Sequence, residues 1–201
     1  MDPARDLERL AGRLDETVVV VGWPDERLYA RVPGVSAWSP AQHVDHLLRT
    51  LEAIWARVET LVGASAPEIR ARARPGLLAR VVLLARWIPR GRGRAPQAVH
   101  PDPRPVRHRL REALRDETRR LERWADRREG IADAAGALPH PQLGALDAGQ
   151  WIRFADVHTR HHLAIVADLD RHRAAGDVAE ADAPKLRRGE EPEYGVGAET
   201  L

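Results

Sequence analysis

The chain has 201 residues, enough for one domain with a sizeable core. Hydrophobic residues make up 43% and charged residues 31%, with a formal net charge of +2, the profile of a globule in water. There is no cysteine, which excludes disulfides, thiolate metal ligands and a cysteine nucleophile, and suits a cytoplasmic protein.

The opening Met1-Asp2-Pro3 lacks the basic-then-apolar pattern of a secretory signal. Leu7, Leu10, Leu14, Val18 and Val21 recur at helical spacing, so residues 3–21 form a first amphipathic helix. Trp23-Pro24 and Pro33-Gly34 punctuate the loop that follows. The second helix begins at Ser39, its N-cap, with Pro40 at the first helical position and Gln42 closing a capping box. Trp38 and His43 occupy the two positions of a hydrophobic staple across that start. The apolar stripe Val44, Leu47, Leu48, Leu51, Trp55, Val58 and Val62 then runs to Gly63.

Residues 64–104 are less regular. Leu77 to Ile88 reads as a short buried helix between Pro75-Gly76 and Pro89-Arg90-Gly91. It falls well short of the ~20 apolar residues needed to span a membrane, and no membrane partner is expected. The run on to Pro105 reads as an exposed Pro/Arg-rich loop. Between Arg70 and Arg94 there are eight arginines and no acid, a basic patch able to attract an anion. Yet Lys185 is the only lysine among 32 basic residues, which points to a GC-rich genome rather than to phosphate recognition, and a nucleic-acid partner is disfavoured.

A further helix spans about 105–128, with Val106, Leu110, Leu114, Leu121 and Trp124 on one face. The last helix, Leu146 to His172, repeats the grammar of the second. Leu146 and Trp151 staple around the N-cap Asp147, and Gln150 completes a box. Its stripe is Trp151, Phe154, His158, His162, Ile165, Val166 and Leu169. Residues 174–201 lose this periodicity and hold seven acids against three bases, so they read as a disordered acidic tail behind a domain of residues 1–173. The expectation is an all-α bundle of four main helices and a short one, with no sheet of three or more strands.

His158 and His162 lie four apart, stacked on one helix face about 6 Å from each other. Both fall near the centre of the apolar stripe, where imidazoles must find partners. A shared metal ion and a hydrogen-bonded core network both satisfy that demand. A third ligand must come from another element, and the second helix offers His43 and His46. The helical wheel slightly favours His43, but His43 also has the staple position over Trp38. Periodicity does not choose between them. His161 lies at the flank of the stripe, able to line the site or to face water. His140, before Pro141, reads as a turn residue, and His100, His108 and His172 as residues of loops or solvated helix. Asp45 and Asp156 neighbour the candidate ligands and are able to orient an imidazole.

The segment Trp38-Ser39-Pro40-Ala41-Gln42-His43-Val44-Asp45-His46-Leu47 resembles the entry to the second helix in the DinB/YfiT-like superfamily, where a Trp-Ser/Thr start leads to a His-Leu pair whose His binds metal. His158-Thr159-Arg160-His161-His162-Leu163 is similar to that superfamily's closing helix, where H-x-x-x-H supplies two more ligands. His140-Pro141-Gln142-Leu143-Gly144 followed by Trp151 resembles the HP-x-x-G…W lead-in of one branch. The resemblance implies an up-down-down-up four-helix bundle, usually a homodimer, with nickel, zinc or another divalent ion held by His46, His158 and His162. It selects His46 over His43. The arginine-rich segment and the acidic tail have no counterpart in the pattern.

Three imidazoles leave a divalent ion with an open position, the arrangement of a reactive rather than a closed site. Such an ion makes a nucleophile of bound water or of a thiol. With no cysteine in the chain, the thiol must be a small molecule. The resemblance implies a transferase using a low-molecular-weight thiol, acting on a small-molecule substrate, with arginines near the mouth holding the thiol's carboxylates. A metal-dependent hydrolase and a bundle that binds without turnover are the alternatives. His161 is the candidate catalytic residue, as a proton relay.

Overall fold

The computed structural model describes residues 2–63, 74–90 and 95–176. The expected tail from residue 177 onward lies outside the described residues, as do parts of the arginine-rich segment. Four long helices carry the fold: α1 (Pro3–Val21), α3 (Pro40–Gly63), α5 (Arg107–Asp126) and α7 (Ala148–Ala174), with the short α2 (Asp25–Leu28), α4 (Leu77–Ala85) and α6 (Arg128–Asp133) between them. Among the described residues no helix is long and apolar enough to cross a membrane.

The helix starts follow local chemistry. Asp2 caps α1 by accepting the Arg5 N–H. Before α3, the Gln42 N–H meets Ser39 Oγ at 3.4 Å, and the Ser39 N–H meets Gln42 Oε1 at 3.1 Å. Before α7, Asp147 and Gln150 exchange the same pair of bonds at 2.8 and 3.1 Å. Both capping boxes read from sequence are therefore made.

Three sets of contacts fix the helix directions. Asp6 in the first turns of α1 meets Arg153 near the start of α7, and Arg27, past the end of α1, meets Asp170 near the end of α7, so these two helices run parallel. Arg107, at the start of α5, donates to the Val21 carbonyl at the end of α1, so α5 runs against α1. Gln42 at the start of α3 reaches the Asp102 and Pro103 carbonyls just before α5, and Trp55 further along donates to Glu117, so α3 runs with α5. The result is the up-down-down-up bundle expected. Its core is a continuous set of buried aliphatics from α1, α3, α5 and α7, including Leu10, Leu51, Ile54, Leu114, Ile152 and Val166.

Two expectations need correction. A three-stranded antiparallel sheet, in the order β1 (Arg74–Pro75), β3 (Gly144–Leu146) and β2 (Leu138–His140), stands before α7, with Arg74 opposite Ala145 and Leu138 opposite Leu146. Its strands of two and three residues are too short to carry the alternation that reveals a strand. Gly144, at φ 81°, ends the β2–β3 turn in a conformation that suits glycine. The sheet adds a clasp to the bundle and leaves the helical core intact. Secondly, α4 is not a buried helix. Ala79, Val82 and Leu83 pack inward, while Leu77 and Leu84 are 79% and 75% exposed.

Candidate metal centre

The histidines of α3 and α7 meet between the two helices. His46, His158 and His162 each place one ring nitrogen so that the three lie within 4.8 Å of one another. His46 Nε2 and His158 Nε2 are 3.3 Å apart. Two nitrogens sharing a tetrahedral zinc at about 2.0–2.1 Å each would be separated by about 3.3–3.4 Å. The donor set and spacing therefore fit a divalent ion. His46 and His162 are buried and His158 is half-buried, so His158 stands closest to water.

The opposite edge of each α3-facing ring is already engaged. His46 Nδ1 lies 2.7 Å from the Val99 carbonyl, so it carries the proton and leaves Nε2 as a lone pair. His162 Nδ1 lies 2.9 Å from His43 Nδ1, and His43 Nε2 lies 3.0 Å from Ser36 Oγ, which also accepts the Trp38 N–H. With His162 Nδ1 donating to His43, the remaining Nε2 is free to bind. Sequence reasoning missed this chain, and it missed Val99, because neither contact has a local signal.

Aromatic rings wall the site. The Trp38 ring centroid is 5.0 Å from that of His46, 5.5 Å from His43, 5.9 Å from His100 and 6.4 Å from His162. His43 thus makes the staple with Trp38 that its position implied, and it also braces a candidate ligand. Phe154 stands 5.3 Å from His158 on the other side.

Burial is the largest influence on every ring in the cluster. It lowers the His43 pKa to about 3, with His46, His161 and Arg90 adding repulsion. Burial and neighbouring imidazoles push His158 and His162 well below the ordinary histidine value. His46 is lowered by burial too, against the opposing pull of the Val99 carbonyl. All are neutral at pH 7, the state a metal requires.

The other candidates separate clearly. His161 is half-buried, its pKa lowered by burial and Arg90 against the opposing pull of the Ile88 backbone, and its ring meets that of His162 at 5.1 Å. His140 ends strand β2 rather than lying in the turn, and its Nδ1 accepts the Gln142 and Leu143 N–H groups of the turn that follows at 3.2 Å. It also packs on Phe154 at 4.7 Å, two rings away from the triad. His100 is exposed but joins the Trp38 wall, which its loop context did not reveal. The carboxylates do not orient the imidazoles. Asp45 holds Arg49 and the Asp102 N–H and reaches His46 only through its field. Asp156 faces Arg86 and Arg13 on the α1 side.

A family model described as the DinB superfamily matches residues 6–166, a span that holds all three triad histidines. No curated protein matches the chain. No solved structure matches it.

Proposed function

The chain belongs to the DinB superfamily, and on that footing we propose that it binds one nickel or zinc ion through His46, His158 and His162 and transfers a low-molecular-weight thiol to an electrophilic small molecule. The observation that carries the reading is the convergence of three neutral imidazole nitrogens within 4.8 Å. A divalent ion there supplies positive charge that favours thiolate over thiol at neutral pH. The chain offers no thiol of its own, so the nucleophile enters from solution.

The residues around the triad suit transfer better than hydrolysis. Among the described residues, the cluster able to hold a metal contains no carboxylate. Asp45 and Asp156, the nearest acids in sequence, are tied to arginines. A thiol starts from a pKa far below that of water, so the same cationic site needs a smaller shift to ionise it at neutral pH. His161 is neutral because burial and then Arg90 lower its pKa, so it is able to accept the thiol proton. Arg90 pairs with Asp168 and stays 47% exposed beside this end of α7, placed to attract an anionic group of the thiol. Trp38 shields one side of the site from water.

The test is thiol-dependent turnover by metal-loaded protein, with glutathione, bacillithiol, mycothiol and simple thiols against several electrophiles and His158→Ala as control. The expected result is a rate that needs both thiol and His158. Equal rates for the two proteins across the panel would remove the transferase reading, and a metal-dependent, thiol-independent hydrolysis would replace it.

A further inference from the structure

Among the described residues, five of the seven most exposed large apolar side chains lie on α4 or just past it: Leu77 at 79%, Leu78 at 49%, Val81 at 50%, Leu84 at 75% and Trp87 at 58%. At 100° per residue Leu77, Leu78, Val81 and Leu84 form one contiguous arc, opposite the inward-facing Ala79, Val82 and Leu83. The only charge inside this helix is Arg80, which is exposed. A soluble domain rarely leaves so dense an apolar group on one short helix without a use.

The helix is fastened to the bundle. Arg86, at its C-cap, takes φ 51°, and its guanidinium grips buried Asp6 and reaches Asp156 at 3.5 Å. Arg160 donates to the Arg86 carbonyl at 3.3 Å. The exposed face is therefore a fixed surface.

We propose that this face of α4 docks the protein on an anionic phospholipid surface. Leucines and a tryptophan flanked by arginines are the composition of a helix that lies in the headgroup region. The sequence from residue 70 to 94 holds eight arginines and no acid. Arg86 pairs with Asp6 and Arg90 with Asp168, while Arg80 stays exposed on α4 itself, a charge that complements anionic lipid. Arg80 disfavours a symmetric α4–α4 dimer, since a two-fold axis through the exposed face brings it toward its own copy. Nucleic acid would satisfy the arginines but gives the leucines nothing to bury against. The expectation of no membrane partner concerned spanning length; lying on a surface needs only a face. The inference does not depend on what the histidines bind.

The experiment is sedimentation of the full chain with vesicles of phosphatidylcholine alone and of phosphatidylcholine mixed with phosphatidylglycerol, at low and high salt. Binding is expected to the mixed vesicles, to weaken with salt, and to fall at least about tenfold in Leu84→Glu, a site exposed enough to leave the core untouched. Trp87→Phe should remove the blue shift in emission on binding, with helical content and metal stoichiometry unchanged in both variants. Failure to bind the mixed vesicles at low salt, or equal binding to phosphatidylcholine alone, overturns the proposal. So does concentration-dependent self-association that Leu84→Glu dissolves.

Discussion

Two clusters of buried polar side chains share α7, and they are built on opposite principles. Around Asp6, fully buried, the guanidinium groups of Arg86 and Arg153 close in at 2.8 and 2.9 Å. Arg86 also reaches Asp156, which Arg13 flanks at 3.8 Å. Every charge there meets its opposite within the protein. The histidine cluster has no such closure. Its outer nitrogens are engaged by Val99 and His43, while the inner nitrogens of His46 and His158 face one another at 3.3 Å, and among the described residues the group that converges there holds no carboxylate. Burial alone does not mark a site. The distinguishing feature is the kind of group the fold gathers: opposite charges that pair in one cluster, neutral imidazoles converging on a common point in the other.

The comparison breaks most visibly by substitution of the triad. His162→Ala or His158→Ala is expected to abolish stoichiometric metal, and His46→Ala to weaken it severely, as elemental analysis of purified protein would report. Asp6→Asn should do the reverse. It leaves Arg86 and Arg153 facing a neutral amide and should cost about 3 kcal/mol in denaturant unfolding, the low end for a broken buried pair because both arginines keep some exposure. Metal stoichiometry of the folded Asp6→Asn protein should be unchanged. Metal loss in Asp6→Asn at temperatures where it remains folded would show that the two clusters are one.

His43 sharpens the contrast. From sequence it has the staple position over Trp38, with His46 selected as the ligand by the family resemblance. Its bond to His162 Nδ1 adds a second effect: His43→Ala should keep one ion per chain but bind it about 10–100-fold more weakly in competition titrations. His43→Asn, with an oxygen able to accept the same proton, should recover part of that loss. An unchanged affinity in His43→Ala would return His43 to a purely packing role.

A last expected effect is the pH dependence of the metal-free protein. His43 and His140 have pKa values lowered to about 3 and about 4, burial being the first cause in each. Unfolded histidines take up protons near pH 6.5 that these buried rings refuse. The unfolded chain therefore binds more protons below that pH, and stability falls as pH drops from about 6.5 toward 4. Chemical denaturation at a series of pH values measures the slope. Stability that rises over that interval would mean these rings are protonated when folded.

What was legible in the sequence was what is local. Ser39, Pro40 and Gln42 mark the start of α3, and Asp147 and Gln150 that of α7, because caps act over three residues. The H-x-x-x-H pair follows from helical pitch. The sheet was not legible: Pro75, Pro139 and Gly144 sit inside or at the ends of strands too short to alternate. The exposed face of α4 was hidden because a helix apolar on both sides does not say which side packs. The wheel leaned only slightly toward His43 over His46 for a physical reason, since both face α7 and both are used, His46 toward the shared centre and His43 behind His162. The Asp6 cluster joins residues 80 and 147 positions apart, a pairing no spacing rule carries.

The most direct test of the open three-histidine centre is X-ray absorption of the zinc-loaded protein with and without a small thiol. The account predicts three imidazole nitrogens at about 2.0–2.1 Å, one further light atom that is not from the protein, and replacement of that atom by a sulfur at about 2.3 Å when thiol is added. A shell of four protein ligands that thiol does not alter would contradict it.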